Sequence, residues 1–277
     1  MKYLVKPVKF SKDIVCDGLV LPLKDYSVEY ENYFSLDEII KIRSEFNKDI
    51  FVVINRNFFN DDIDNLKDVL IKLDDIGITG IFFYDLAVLE LKKELNLKFD
   101  LVLNKTFMVT NYKTCDYYYE KGVKYAYLSN EITKDEIFDI KDKSKINPII
   151  MLFGYPTVAT SRRKLITNYR DFNNLDSKGN LEIIEKVTND KYMVYEDKYG
   201  TTFRYSKVLN NLEILEELKE KDFSYVVLVE DFIDHDSFLE VVDTIYNNKD
   251  FSKIYEKFGN NTGFLNKKTI YKVKKDG

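Results

Sequence analysis

The sequence predicts a (β/α)8 TIM-like barrel, an α/β fold in which eight parallel strands alternate with helices. Short apolar runs recur about every 25–30 residues, which is the size of one strand-plus-helix unit. Helix start signals follow several of these runs. The chain has 277 residues, of which 45% are hydrophobic, so it is long enough to form one large core. An open doubly wound sheet is the alternative that the same alternation allows.

Each predicted strand is a short apolar run that ends at a polar residue, glycine or proline. The seventh run has four apolar residues in a row before Phe153 and Gly154, which suits a strand covered on both faces. The eight strands are predicted at residues 4–8, 18–23, 50–54, 80–84, 101–103, 125–128, 149–153 and 225–229.

The helices between these strands are predicted from capping signals and apolar stripes. Ser35 with Glu38, and Thr133 with Glu136, form capping boxes. The second helix carries leucines on one face and stops at Gly77, as an amphipathic helix with a C-terminal glycine should. The predicted helices span residues 35–46, 62–77, 86–95, 111–122, 133–143, 211–221 and 237–246.

The alternation of strands and helices lapses between strands seven and eight. Residues 155–210 contain two alternating segments, 192–195 and 201–205, separated by the turn sequence Lys198-Tyr-Gly200. We therefore predict an inserted β-hairpin segment at 155–210. All 277 residues are predicted to form a single domain, with this insertion and with residues 250–277 as a C-terminal extension.

Composition limits the classes of function. The net charge is −5, with 42 Lys and Arg against 47 Asp and Glu, so any site for a polyanion must be local. Cys16 and Cys115 are far apart and in no metal-binding spacing, which fits a reducing compartment. Residues 1–8 contain no long apolar run, so neither a secretory signal nor a membrane span is predicted there. We expect a cytoplasmic protein that does not associate with membranes.

The segment after the seventh strand is the strongest candidate for contact with a ligand. Ser161, Arg162, Arg163 and Lys164 follow the strand-breaking sequence Gly154-Tyr-Pro156. The two guanidinium groups suit a phosphate or a small carboxylate. The alternative interpretation is an ordinary solvated basic turn.

Polar residues also occur where the other predicted strands end, and in a barrel these ends surround the active site. For Asp85 and Asn104, helix capping or a loop hydrogen bond is an equally good explanation. The strand-end candidates are Lys24, Asn55, Arg56, Asp85, Asn104, Glu131, Tyr155 and Glu230. We predict Asp85, Glu131 and Glu230 as acid or base groups. The predicted ligand contacts are Asn55, Asn104, Thr106, Tyr155, Ser161, Arg162 and Arg163.

Several familiar catalytic signatures are absent from the sequence. The single histidine, His235, is interpreted as an exposed loop residue beside a helix start, and it cannot by itself supply a two-histidine metal site. There is no Gly-x-Ser-x-Gly elbow and no glycine-rich phosphate loop. Metal-dependent hydrolysis and nucleotide cofactors therefore have no support from motifs, and no metal site is predicted.

Several motifs along the chain resemble the collagenase-like peptidase U32 family. They are Asp17-Gly-Leu-Val-Leu21, Phe34-Ser-Leu-Asp-Glu38, Val53-Ile-Asn55, Gly80-Ile-Phe-Phe-Tyr-Asp85 and Phe153-Gly-Tyr-Pro156 followed by Ser161-Arg-Arg163. The resemblance covers most of the chain. It implies a barrel-type core, in agreement with the alternation of strands and helices.

The resemblance implies two kinds of activity. Some members of the family are labelled peptidases, whereas others are implicated in oxygen-independent hydroxylation of the tRNA wobble uridine, of ribosomal RNA or of quinone precursors. The hydroxylation-type members bind an iron–sulfur cluster through cysteines. Two of these cysteines correspond to Thr157 and Lys164 here, so we expect no cluster in this chain.

The leading hypothesis is therefore a short, cysteine-poor U32 protein that takes part in RNA modification of the prephenate-dependent type, at the tRNA wobble uridine. The expected partners are a cluster-bearing second U32 protein, tRNA and a small carboxylate. A peptidase that uses Asp85, Glu131 or Glu230, and a non-catalytic scaffold, are the alternatives.

Overall fold

The computed structural model describes residues 1–176, 179–187 and 189–267. Eight parallel strands form a closed barrel, and the predicted (β/α)8 fold is confirmed. The strands of the described chain are β1 (Lys2–Lys6), β2 (Gly18–Pro22), β3 (Asp49–Ile54), β4 (Gly80–Phe83), β5 (Asp100–Leu103), β6 (Tyr125–Tyr127), β7 (Asn147–Gly154), β8 (Thr157–Ser161), β9 (Leu181–Ile184), β10 (Lys191–Asp197), β11 (Gly200–Tyr205), β12 (Leu209–Asn210) and β13 (Tyr225–Val229).

The barrel consists of β1 to β7 in chain order, followed by β13, which pairs with both β7 and β1 and so closes the sheet. Short β12 adds to β7 in the antiparallel direction. The helices are α1 (Leu36–Glu45), α2 (Ile63–Asp75), α3 (Leu86–Glu94), α4 (Tyr112–Glu120), α5 (Lys134–Lys143), α6 (Leu165–Phe172), α7 (Leu215–Glu220), α8 (His235–Tyr246) and α9 (Ser252–Phe258).

Side chains that alternate along the strands divide the core into two layers. One set packs between the sheet and the helices. The other fills the barrel interior, where the rings of Phe51, Tyr125 and Tyr225 meet edge to face with centroids 5.3–6.3 Å apart. Tyr125 and Tyr225 are the first residues of their strands, so this aromatic cluster closes the N-terminal end of the barrel. At this end the Tyr225 hydroxyl donates to Oδ2 of Asp49 at 2.9 Å.

Both predicted capping boxes are present, at Ser35 with Glu38 and at Thr133 with Glu136. Gly154 ends β7 at a φ of 140°, and a Cβ there would lie 2.8 Å from the Val229 carbonyl oxygen. Glycine is therefore required at the point where β7 approaches its barrel neighbour β13. None of the helices in the described ranges has the length and hydrophobicity that a bilayer crossing requires.

The insertion between β7 and β13 is larger than the predicted hairpin. The hairpin exists as β10 and β11, but β9 joins one of its edges and β8 joins the other, which gives a four-stranded antiparallel sheet. Helix α6 lies between β8 and β9. The pattern of β8, Thr157–Ser161, was not recognised because its residues are half-buried or exposed on both faces. The assignment of all 277 residues to one domain stays a prediction, since residues 268–277 lie outside the described part.

Candidate functional site

A small cavity lies at the C-terminal end of the barrel strands, beneath the insertion. It has a volume of about 60 Å³. The barrel contributes its walls, and β8 and β11 of the insertion contribute Thr157 and Arg204. The polar residues that line it are Lys6, Glu29, Tyr30, Asn55, Asn104, Thr106, Tyr127, Asn130, Thr157, Arg204 and Asp231.

Three buried charged side chains form the innermost part of this cavity. The Lys6 ammonium pairs with Oδ1 of Asp231, and Nη2 of Arg204 lies 3.3 Å from Oδ2 of the same carboxylate. The three side chains are at most 3% exposed. Burial alone would raise the pKa of Asp231, but the charges of Lys6 and Arg204 hold it below the usual value. Burial lowers the pKa of Lys6, although the charge of Asp231 opposes that shift.

Strand alternation explains how the sequence brings Lys6 and Asp231 together. Lys6 ends β1 on the same face as Leu4, which points into the barrel. Asp231 follows the inward-facing series of Val227 and Val229 on β13. Because β1 and β13 are neighbours with Lys6 opposite Val229, the two charged side chains meet inside the barrel mouth.

Arg204 connects the insertion to the barrel. Its Nη1 donates to the carbonyl oxygen of Tyr155 at 2.7 Å, and its Nε donates to Oη of Tyr195 at 3.2 Å. Its Nη2 also donates to the carbonyl oxygen of Glu29, in the loop after β2. Four groups from separate segments are therefore held by one guanidinium, which positions the insertion over the cavity.

Glu29 is held in an unusual backbone conformation beside the cavity. Its φ is 78°, in the left-handed region that non-glycine residues rarely adopt. The preceding residue, Val28, is bound on both sides by Asn55, whose Oδ1 accepts from the amide at 2.9 Å and whose Nδ2 donates to the carbonyl at 3.2 Å. Tyr195 Oη donates to the Glu29 carbonyl at 2.6 Å. Burial raises the pKa of the Glu29 carboxyl to about 7, although Arg162 and Arg204 oppose the shift.

Several polar side chains that line the cavity make no side-chain hydrogen bond to another described residue. Among the described residues, the amide of Asn104 makes no side-chain hydrogen bond although the residue is only 4% exposed. The hydroxyls of Thr106, Tyr30 and Tyr127 and the carboxyl of Glu29 are likewise not hydrogen-bonded to any described residue. Buried polar groups are normally satisfied, so this convergence is typical of a site that binds a polar molecule.

The cavity brings together three of the residues predicted from the sequence, namely Asn55, Asn104 and Thr106. Asp85 lies elsewhere and caps α3, where it accepts from the amides of Ala87 at 3.0 Å and Phe58 at 3.1 Å. Tyr155 contributes its carbonyl oxygen to Arg204.

The carboxylates of Glu230 and Glu131 do not line the cavity. Glu230 is buried, accepts from the amide of Val8 at 2.6 Å and lies 2.6 Å from Nδ1 of His235. His235 is therefore the partly buried first residue of α8 and not an exposed loop residue, because Glu230 holds its ring. Glu131 lines a separate cleft between the insertion and residues 261–267. Whether Asp85, Glu131 or Glu230 takes part in catalysis stays a prediction.

The predicted ligand-contact segment Ser161-Arg-Arg-Lys164, here called the basic rim, borders a shallow cleft outside the cavity. Nη2 of Arg162 donates to Oδ1 of Asn57 at 3.1 Å, and Arg163 is exposed. Oγ of Ser161 accepts from the amide of Arg163 at 3.1 Å. Glu29 lines both this cleft and the cavity, so it links the two.

Sequence reasoning missed Lys6, Glu29, Arg204 and Asp231. The signal for Lys6 and Asp231 was the period-two alternation, continued one step past the apolar residues of β1 and β13. No local pattern marks Glu29 or Arg204, because their roles depend on contacts between segments distant in sequence.

The residues at the expected cluster positions do not suit an iron–sulfur cluster. Thr157 begins β8 and Lys164 precedes α6, and neither can supply a thiolate. Cys16 and Cys115 are buried in different elements, and burial raises the pKa of their thiols to about 11 and about 12. This donor set does not fit the four thiolates that such a cluster usually requires.

We expect protein purified without oxygen to contain no stoichiometric iron and to lack broad visible absorbance. The physical reason is the number and burial of the thiols. Iron analysis and an absorbance spectrum test this directly, with a cluster-bearing U32 protein prepared in parallel as the positive control. One cluster per chain would contradict the interpretation of Thr157 and Lys164.

Comparison with known proteins identifies the family. The sequence profile of peptidase family U32 matches residues 17–238. The chain is 27% identical over 205 residues to tRNA hydroxylation protein P2 of Bacillus subtilis (strain 168), an alignment that covers 70% of this chain and 65% of P2. It is 25% identical over 139 residues to tRNA hydroxylation protein P1 of the same organism, which covers 49% of this chain and 33% of P1.

A chitinase structure from Chromobacterium violaceum ATCC 12472 aligns with a TM-score of 0.42 and 9% identity, over 88% of this chain and 98% of that chain. A similarity of this size says nothing about activity. The profile match extends over most of the chain and over every charged residue of the cavity except Lys6. The chain belongs to peptidase family U32.

Proposed function

We propose that this protein takes part in the hydroxylation of a tRNA nucleoside, the wobble uridine, in a reaction of the prephenate-dependent type. The observation that carries the proposal is the similarity to the tRNA hydroxylation proteins P2 and P1. The chain spans 65% of P2 and 33% of P1, so the activity is proposed and not transferred.

The cavity supports chemistry on a small molecule. It offers the side chains of Lys6 and Arg204, an amide at Asn104 and a carboxyl group at Glu29 whose pKa is raised to about 7. A group that titrates near neutral pH exchanges protons readily in either direction. A tRNA is far too large for a cavity of about 60 Å³, so it would contact the rim outside.

The rim supports contact with a phosphate backbone. Arg162, Arg163 and Lys164 are consecutive and exposed, and the described part of the chain shows no ion pair for any of them. Arg56, by contrast, is occupied by Asp62 at 2.9 Å and by the ring of Phe58 at 4.5 Å. Exposed guanidinium groups without a carboxylate partner are suited to bind phosphates.

Because the donor set does not fit an iron–sulfur cluster, we propose that the protein acts with a second, cluster-bearing U32 protein. Within such a pair, this chain would supply the cavity and the basic rim. The partner would supply the redox centre.

The decisive experiment is mass spectrometry of tRNA nucleosides from a strain that lacks the gene. Loss of hydroxylated uridine, restored by the wild-type gene, is the expected result. Unchanged hydroxyuridine would contradict the proposal. In that case, cleavage of a peptide library by the purified protein would favour the peptidase, and absence of cleavage would favour the scaffold.

A double variant, Arg162→Ala with Arg163→Ala, should abolish hydroxylation in the complemented strain while the free energy of unfolding changes by less than about 0.5 kcal/mol. Both side chains are exposed, and the Arg162 contact with Asn57 lies at the surface. Nucleoside analysis and urea denaturation measure the two effects.

The matched control removes two exposed lysines from outer helices, Lys41→Ala on α1 with Lys253→Ala on α9. This control removes the same number of positive charges, but the strain that carries it should still hydroxylate its tRNA. If the arginine variant also modifies tRNA normally, the segment is an ordinary basic turn.

A further inference from the structure

Three large apolar side chains are exposed along one side of the barrel mouth. Phe59, Leu86 and Met108 are 74%, 49% and 63% exposed, and they follow β3, β4 and β5 in that order. Because these strands are neighbours in the barrel, the loops that follow them lie side by side at its C-terminal end. We call these three residues the apolar arc.

The loops that carry the apolar arc contact one another. The amide of Phe58 donates to Oδ2 of Asp85 at 3.1 Å, which joins the loops after β3 and β4. The ammonium of Lys105 lies 4.9 Å from the centre of the Tyr84 ring, which joins the loops after β4 and β5. In the last loop the amide of Met108 donates to the carbonyl oxygen of Lys105 at 2.8 Å. The three apolar side chains therefore belong to one connected surface.

The apolar arc extends from the basic rim to the wall of the cavity. At one end, Nη2 of Arg162 donates to Oδ1 of Asn57, two residues before Phe59. At the other end, Thr106 lines the cavity two residues before Met108. A chain molecule bound along the arc would thus contact the basic rim and also pass the cavity.

The chemistry of this surface suits an unpaired RNA strand. Exposed aromatic and apolar side chains bind the flat faces of bases, and neighbouring basic side chains bind the phosphates. Asn57, Asp85 and Lys105 separate the members of the apolar arc along the chain, so each member offers a small apolar surface. A single base can cover such a surface, whereas a stable protein interface needs a larger continuous one.

We propose that the apolar arc binds unpaired bases of an RNA loop, with one base stacked on the Phe59 ring and the adjoining phosphates on the basic rim. Asp61 is exposed two residues beyond Phe59, so the phosphates are expected on the opposite side, at Arg162 and Arg163. A fully paired duplex hides the flat faces of its bases, and the arc therefore selects single-stranded RNA. The choice of RNA as the partner rests on the proposed function, whereas the contact is measured by binding alone.

The first test uses the absence of tryptophan from the sequence. The substitution Phe59→Trp introduces the single indole of the chain, so the fluorescence reports on that position. A synthetic RNA hairpin with an unpaired loop should quench this fluorescence, and a fully paired RNA duplex should not. The matched control is Phe172→Trp on α6, where the native side chain is 86% exposed, and the hairpin should leave its fluorescence unchanged.

The second test removes the ring. Phe59→Ala should weaken binding of the labelled hairpin about fivefold to a hundredfold, as expected for the loss of one stacked base, and should leave binding of the duplex unchanged. Phe172→Ala should leave both affinities unchanged. Since both side chains are exposed, both variants should unfold at the same urea concentration as wild type. Fluorescence anisotropy of the RNA measures the affinities.

Three results would overturn the proposal: equal quenching in Phe59→Trp and Phe172→Trp, hairpin binding by Phe59→Ala that is as tight as in wild type, or no hairpin binding by folded wild type. If Phe59→Ala binds the hairpin normally but loses self-association that wild type shows in sedimentation, the arc is a protein contact instead.

These outcomes are separate from the nucleoside analysis. A deletion strain with normal hydroxyuridine would contradict the proposed function even if the hairpin quenches Phe59→Trp. A hairpin that does not bind would remove the RNA contact and leave the result of the nucleoside analysis standing.

Discussion

Replacing Asp231 by asparagine should lower the free energy of unfolding by about 3–5 kcal/mol. The substitution keeps the shape of the side chain but leaves Lys6 and Arg204 without their shared carboxylate. Both members of the Lys6–Asp231 pair are at most 1% exposed, so water cannot replace the lost charge. Urea denaturation followed by circular dichroism at neutral pH measures the difference.

The control is Asp243→Asn, which breaks the exposed pair with Lys249. Lys249 and Asp243 are 54% and 43% exposed, so the loss should be much smaller than that of Asp231→Asn. Equal losses in the two variants would mean that the cavity is open to water in solution.

Glu29 should make the stability of the protein depend on pH. Its pKa is about 7 in the folded chain against an ordinary value of 4.5. Below 4.5 the group is neutral in both states and imposes no penalty. Between the two values the unfolded chain loses the proton while the folded chain keeps it, so the stability falls as pH rises, and above about 7 the penalty is constant. The expected total is about 3 kcal/mol.

The measurement is the difference in unfolding free energy between wild type and Glu29→Gln at a series of pH values. Contributions from all other titrating groups cancel in this difference as long as their environments are unchanged. Wild type should lose stability relative to the variant as pH rises from 4.5 to 7. If the unfolding free energies of wild type and Glu29→Gln differ by the same amount at every pH, the Glu29 carboxyl group is solvated like that of an ordinary surface residue.

The barrel could be predicted because its signals are local. Each strand is a buried apolar run, and the helix starts at Ser35 and Thr133 are marked by capping boxes that the structure contains. Helix α6 and strand β8 were not recognised. Their sequences, between Thr157 and Phe172, carry an alternation too weak to separate a half-exposed sheet from a loop.

The candidate site was only partly predictable. Asn55 and Asn104 were found because they follow apolar runs directly, and Thr106 lies two residues further along the second of these loops. The charged residues of the cavity were missed because their roles depend on contacts between segments that are distant in sequence. Lys6 and Asp231 are 225 positions apart, and Arg204 lies 175 positions from Glu29. No pattern within a window of ordinary length connects such residues.

Because β1 pairs with β13, the cavity can form only late in the synthesis of the chain. Lys6 leaves the ribosome with the first barrel strand, whereas its partner Asp231 follows more than two hundred residues later. At about 5–20 residues per second, this interval is about ten seconds or longer. Throughout it, Lys6 has no carboxylate from the last strand, and the barrel edge at β1 is open. The cavity with its buried charged residues therefore exists only in molecules in which the first and last strands have already met.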